Sequence, residues 1–226
     1  MGTPRGRSSD ARRVAPRLRR RRRSDLSRHV QALRPRLKGL AAFLALALAS
    51  AGVHAADAAA GEAKAQVCLA CHGPGGNSTD PQFPSLAAQP PLYLFYQLLQ
   101  FREQRRKDAR MSPFAEKLTD ADMKDIAAYF TAQKAAAPTP AVDEARAAAG
   151  KAVAQRNHCA SCHMSAFTGQ NHIARLAGQH YDYLVKELRG FKAGTRPDID
   201  GTMASAAVPL SDEDIANVAH YLATLP

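Results

Sequence analysis

The 226-residue sequence has no cysteine to spare. All four lie inside two pentapeptides, Cys68-Leu69-Ala70-Cys71-His72 and Cys159-Ala160-Ser161-Cys162-His163. None remains to join distant parts of the chain, and a bridge within either pair would close too short a loop to stabilise a fold. Long apolar runs are also missing. The uncharged stretch Gly39 to Val53 has fifteen residues, whereas a membrane-spanning helix needs about 20. No segment sustains the apolar–polar alternation of a strand. No paired carboxylates, nucleophile–base set or phosphate-binding glycine loop stands out. A disulfide framework and a β-rich domain are therefore excluded, and no small-molecule substrate is indicated.

Acidic residues are scarce only at the start. Residues 1–55 hold 14 of the 31 Lys and Arg but two of the 20 Asp and Glu, which leaves 17 bases against 18 acids in the remainder. The formal charge of +11 thus belongs to a leader. It gives no reason to expect a nucleic-acid partner and leaves room only for weak association with a membrane surface. The leader has the three parts of a secretory signal: an Arg-rich stretch ending at Lys38, the apolar run, and Val53-His54-Ala55 as a cleavage site. Cleavage after Ala55 is expected, with Ala51 the near alternative, and an uncleaved anchor is disfavoured by the short run. The Arg19–Arg23 run is followed by Ser24-Asp25, a poor match to a twin-arginine signal. A translation start further downstream would explain the length of the basic region. Export implies an oxidising compartment.

The remainder is a duplication. Leu86-Ala87-Ala88-Gln89 answers Leu176-Ala177-Gly178-Gln179, and Tyr93, Leu94, Leu98 and Phe101 answer Tyr183, Leu184, Leu188 and Phe191 at an offset of 90. The offset becomes 92 further on, where Met111, Leu118 and Tyr129 answer Met203, Leu210 and Tyr221. A repeat this long is a duplicated domain. Ala135 to Pro140 is uncharged and Pro-containing, so domains at 56–137 and 141–226 are expected, joined by a stiff linker at 138–140. Both halves read as all-α. In the first, a short helix runs from Gly61 to Leu69. A second opens at Pro91, a favoured first helical residue, with Leu94, Leu98 and Phe101 on one face. Thr119 and Asp122 form a capping box for the last helix, whose stripe is Met123, Ile126, Ala127 and Phe130. In the second half Ser211 and Asp214 cap, and Ile215, Val218, Ala219 and Leu222 form the stripe.

Each half has about 80 residues, a size at which an apolar core alone is marginal. A covalently bound cofactor would complete it. CxxCH is the attachment motif for c-type haem. Two thiols three residues apart each form a thioether, Cys68 with Cys71 and Cys159 with Cys162, and His72 and His163 become the proximal iron ligands. Zinc binding would need the CxxC pairs about 15–20 residues apart, and a thioredoxin-like redox pair would need a βαβ context. Two covalent haems c are expected. A methionine commonly closes the sixth position of such an iron. Met111 and Met203 occupy equivalent positions, 39 and 40 residues after their histidines, in loops before the last helix. They are the expected distal ligands. Met123 falls on a core stripe, and Met164 follows His163 too closely to reach the opposite side of the haem. His158, His172, His180 and His220 have no counterpart in the other half and read as surface or structural residues.

The series CxxCH, Leu-Ala-Gly/Ala-Gln, Tyr-Leu helix, Met loop and Tyr-containing last helix, present twice over residues 60–226, resembles the dihaem cytochrome c4 family. The resemblance implies two tandem class I cytochrome c domains with His/Met ligation at both irons. It also implies a periplasmic carrier between a quinol-oxidising complex and a terminal oxidase or reductase. One departure is visible. The first half has Pro84 before Ser85-Leu86, where the family pattern uses the proline carbonyl to orient the proximal histidine; the second has Ala174. A looser bond to His163 is the expectation, since alanine lacks proline's fixed φ. A haem subunit of a periplasmic dehydrogenase, such as a flavoprotein sulfide dehydrogenase or a thiosulfate-oxidising complex, is the alternative. A dihaem peroxidase would need an open iron. The basic residues Arg102, Arg105, Arg106, Lys107 and Arg110 are candidates for a partner-docking surface.

Overall fold

A computed structural model describes residues 55–137 and 143–226. The expected leader, apart from Ala55, and the expected linker at 138–140 lie outside the described residues. The described residues are helices and loops, with one isolated bridge between Gln170 and Ile173.

The first half opens with α1 (Ala58–Ala65) and passes through a 3-10 turn, Gln66–Cys68, into α2 (Leu69–His72). Helix α1 starts three residues before the expected Gly61, because Asp57 accepts hydrogen bonds from Ala59 N and Ala60 N and caps it. Then follow α3 (Pro91–Arg102), α4 (Ser112–Ala115) and α5 (Asp120–Ala132). The second half repeats the order with α6 (Glu144–Arg156), α7 (Cys159–His163), α8 (Tyr181–Lys192), α9 (Thr202–Ala207) and α10 (Asp212–Ala223). Pro91 is the first residue of α3. The capping boxes at Thr119 and Ser211 are both formed.

Each half is organised by one helix crossing. Helix α1 lies on α5, and α6 lies on α10. The crossings are close enough to demand glycine. A Cβ on Gly61 would sit 2.0 Å from Asp125 O, and one on Gly150 would sit 1.9 Å from Asn217 O. Around the first crossing Leu94, Ile126, Ala127 and Phe130 form a buried cluster. Around the second, Val153, Phe167, Leu184, Ile215, Val218 and Leu222 do the same. These include most of the stripe positions read from the sequence, and each of the larger side chains contributes roughly 1.5–3 kcal/mol by leaving water. Met123 is fully buried, which fits its assignment to the core.

The halves meet through pairs of equivalent residues. Gln89 Nε2 donates to Arg175 O at 2.8 Å, and Gln179 Nε2 donates to Ser85 O at 2.9 Å. Gln89 and Gln179 are repeat equivalents, and so are Ser85 and Arg175. The interface therefore has an approximate two-fold character, like that of a symmetric dimer.

Candidate functional site

Each CxxCH segment sits on a short helix that ends at its histidine. Gly73 and Met164 close α2 and α7, both at positive φ. The turn sends the chain away and leaves His72 and His163 buried, at 4% and 6% exposure. None of the four cysteines is joined to another in a disulfide. Cys68 and Cys159 are half-buried, Cys71 and Cys162 exposed.

The two imidazoles are held alike. His72 Nδ1 lies 2.8 Å from Pro84 O, and His163 Nδ1 lies 2.8 Å from Ala174 O. A carbonyl only accepts, so each Nδ1 carries the proton. In the neutral ring this leaves Nε2 with its lone pair. Burial lowers both pKa values, outweighing the carbonyl bonds that raise them, and so favours that neutral form. The expected loosening at Ala174 is absent. Its carbonyl is fixed by the tight loop instead. The N–H of Ile173 donates to Gln170 O at 2.8 Å, and a Cβ on Gly169 would sit 2.5 Å from the Ala174 carbonyl carbon.

An apolar cavity of about 410 Å3 extends across both halves. Cys68, His72 and Met111 line it from the first half, and Cys162, His163 and Met203 from the second. His72 Nε2 is buried without a hydrogen-bond partner. Such a group is costly to leave unmatched in an apolar wall. A lone-pair nitrogen facing an apolar space, with two thiols on the same turn, fits an iron macrocycle attached through CxxCH.

The methionines are brought to this space by matched aspartates. Asp108 accepts from Arg110 N and Met111 N, and Asp198 accepts from Gly201 N, Met203 N and Ala204 N. Burial opposes ionisation of Asp108, but the N–H groups of Arg110 and Met111, together with the Lys186 and Arg110 charges, outweigh it and hold its carboxyl below the usual range. Met111 immediately precedes α4, as a residue at its N-terminus. Met203 is not in a loop as expected. It is the second residue of α9, which Asp198 caps.

Sequence reasoning missed a polar network inside the interface. Arg106 donates to Tyr183 Oη at 3.1 Å and Glu187 Oε2 at 2.8 Å, and also to Gln97. Arg196 contacts Glu187 and Gln97 in turn. The Arg106 and Arg196 guanidiniums cover the Phe101 and Phe191 rings at 4.7 and 4.0 Å. The signal was present as repeat equivalence: Tyr93/Tyr183, Gln97/Glu187 and Arg106/Arg196 all share the offset of 90. Arg106 is thus removed from the expected docking cluster, its side chain 11% exposed, while Arg105, Lys107 and Arg110 stay exposed. Burial pushes the Tyr93 phenol up to about 12, with Tyr183 adding to the shift. Two guanidiniums and one carboxylate here leave one positive charge over, beside the cavity. Of the other histidines, His180 Nε2 bonds Ser78 O across the interface at 3.0 Å, His220 stacks on Tyr181, and His172 lies exposed at the cavity edge.

Comparison with known proteins matches both halves. Residues 147–226 match the cytochrome c family, and residues 55–130 match cytochrome C oxidase, cbb3-type, subunit III. The chain is 42% identical to cytochrome c4 of Thiocapsa roseopersicina over 74% of its own length and 91% of that protein. It is 33% identical to the thiosulfate dehydrogenase electron acceptor of Thiomonas intermedia, over 74% of this chain and 82% of that one. The reduced cytochrome c4 of Pseudomonas stutzeri superposes with a TM-score of 0.71 at 34% identity, covering 76% of this chain and all of that one. The duplication, the two CxxCH turns and these relatives agree: the chain belongs to the cytochrome c4 family, electron carriers of two cytochrome c domains, with haem c attached at Cys68 and Cys71 and at Cys159 and Cys162.

Proposed function

We propose that both irons are closed, by His72 and Met111 in the first half and by His163 and Met203 in the second, and that the protein is a periplasmic carrier between a quinol-oxidising complex and a terminal oxidase or reductase. The observation that carries this is the unpartnered Nε2 of buried His72 in an apolar cavity that Met111 also lines. The second half supports it with the same bond at His163 Nδ1 and with Met203.

Bound haem supplies reversible one-electron exchange, and methionine as a ligand raises its potential. The chain's own residues do the rest. Pro84 O and Ala174 O fix the tautomer and orientation of the histidines. Asp108 and Asp198 hold the methionine segments. The cavity surface around them is mainly apolar. The protein's partners are other redox proteins, which dock through small, transient interfaces. Among the described residues no helix is long and apolar enough to cross a membrane. Residues 1–55, read as an export signal cleaved after Ala55, carry the periplasmic part of this reading.

Service to a dedicated dehydrogenase is the second reading, favoured by the likeness to a thiosulfate dehydrogenase electron acceptor. Stopped-flow mixing tests the closed irons, and co-purification separates the two readings. The reduced protein is expected to be reoxidised rapidly by respiratory membranes and to remain reduced on mixing with hydrogen peroxide. Rapid reaction with peroxide would overturn the closed-iron reading. Co-purification with a dehydrogenase at fixed stoichiometry would favour the second.

A further inference from the structure

Each proximal histidine is one peptide group away from a glutamine of the other half. Pro84 O accepts from His72 Nδ1, and the N–H of the same peptide, on Ser85, donates to Gln179 Oε1 at 2.9 Å. Ala174 O accepts from His163 Nδ1, and the N–H of that peptide, on Arg175, donates to Gln89 Oε1 at 2.9 Å. The orientation of each glutamine amide is fixed by chemistry. A backbone N–H only donates and a backbone carbonyl only accepts, so Oε1 must face the N–H and Nε2 the carbonyl. Both side chains are buried, Gln89 at 4% and Gln179 at 5% exposure. Water therefore competes little for these bonds.

We propose that Gln89 and Gln179 are crossed positioning residues, each tuning the haem of the opposite half through the peptide that holds its histidine. An acceptor on a peptide N–H draws the amide towards its polar form and places more negative charge on the carbonyl oxygen. Hydrogen bonds in such a chain strengthen one another. The histidine Nδ1–H bond then becomes stronger and Nε2 more basic, which favours the oxidised iron. Gln179 therefore lowers the potential of the first-half haem, and Gln89 that of the second.

The two relays are unequal. Gln179 Oε1 is shared, because it also accepts from His180 N at 3.1 Å. The position equivalent to His180 is Pro90, which has no N–H. Gln89 Oε1 thus has no such competitor, and the stronger tuning falls on His163. This pair of relays also gives the interface a role beyond adhesion: separating the halves would loosen both histidine bonds at once.

The inference rests on histidine ligation as proposed above. The test uses full-length holoprotein carrying Gln89→Leu or Gln179→Leu, with Gln→Glu variants alongside. Two quantities are read for each haem: its potential, and the Nδ1–H proton shift of its histidine in the reduced state. Haem signals are assigned to a half through contacts with Leu94 or Leu184. Gln179→Leu should raise the first-half potential and move the His72 Nδ1–H signal upfield. Gln89→Leu should do this to the second half, by more. The Glu variants keep the acceptor and add charge, so they should shift the same opposite haem the other way; they decide the matter if the Leu variants fail to fold. Shifts confined to the haem of the mutated half, equal shifts at both haems, or no shift would overturn the proposal. A wild-type protein without two low-spin haems would instead overturn the ligation reading.

Discussion

Gly73 and Met164 follow the two proximal histidines in nearly the same conformation, with φ/ψ of 75°/169° and 69°/160°. That region is essentially reserved for glycine, and another residue there costs of order 1–3 kcal/mol. The first half meets the requirement with glycine. The second accepts strain, and Met164 is 40% exposed, so little burial offsets it. The halves differ again one turn on. In the first, Gly76 leaves space that Phe130 fills, and the Phe130 ring meets Tyr129 at 5.1 Å. In the second, the loop itself supplies the ring: Phe167 stands at the position of Gly76 and meets Tyr221, the equivalent of Tyr129, at 5.8 Å. The helix residue there is Leu222, smaller than Phe130. One aromatic contact is thus made from opposite sides of the same junction. The backbone of the duplication is preserved, while the ring at this junction comes from the helix in one half and from the loop in the other.

The comparison can be broken most severely at what the halves share. Gly61→Ala and Gly150→Ala should each destabilise their own half by roughly 3 kcal/mol or more, because the added methyl group overlaps a helix carbonyl. Separate unfolding of the two haem environments, followed by denaturant titration, checks this. Equal losses in both halves from either substitution would show that the crossings are not independent. The next effect sharpens the difference. Met164→Gly should stabilise the second half by about 1–3 kcal/mol. Gly73→Met should destabilise the first by more, since its Cβ would meet Asn77 O at 2.1 Å.

A smaller effect concerns charge. Asp125 is fully buried and pairs with Lys64 at 2.6 Å, with Asp122 bonded to the same ammonium at 2.8 Å. Val153 and Asn217 take the places of Lys64 and Asp125 in the second half. The Lys64 bond, with Thr119 adding to it, holds Asp122 down at about 2. A carboxyl lowered on folding stabilises the protein above its unfolded pKa, near 4, and this contribution is lost as pH falls towards 2. Thermal melts between pH 5 and 2 should therefore fall less steeply for Lys64→Met than for wild type, in the first half only. The smallest effect is at Ala174→Pro. Both Nδ1–carbonyl distances are already 2.8 Å, so the second-half potential should barely move in a redox titration.

Features coded by local spacing were legible in the sequence. The CxxCH turns, the two capping boxes, the start of α3 at Pro91 and the buried stripes of the last helices all depend on residues within about a turn of one another. The equivalence of Met111 and Met203 was legible because the duplication repeats it, and both line the cavity. What depends on distant partners was not. Gly61 marks a crossing with Asp125, not the start of a helix, and only the carbonyl across from it shows why. Arg106 reads as one of a basic cluster until Glu187 and Tyr183 are placed beside it. The short helix around Met203 depends on a cap from Asp198, five residues earlier. The weak histidine bond expected at Ala174 failed because a loop contact replaces what proline would supply.

The central claim is that each half closes its iron with its own methionine. Proton NMR of the fully reduced holoprotein tests it most directly. A methionine methyl group held against a haem face is shifted far upfield by the ring current. Two such three-proton signals are predicted, one lost in Met111→Ala and the other in Met203→Ala. A single signal in the wild type, or survival of both in either variant, would contradict the account.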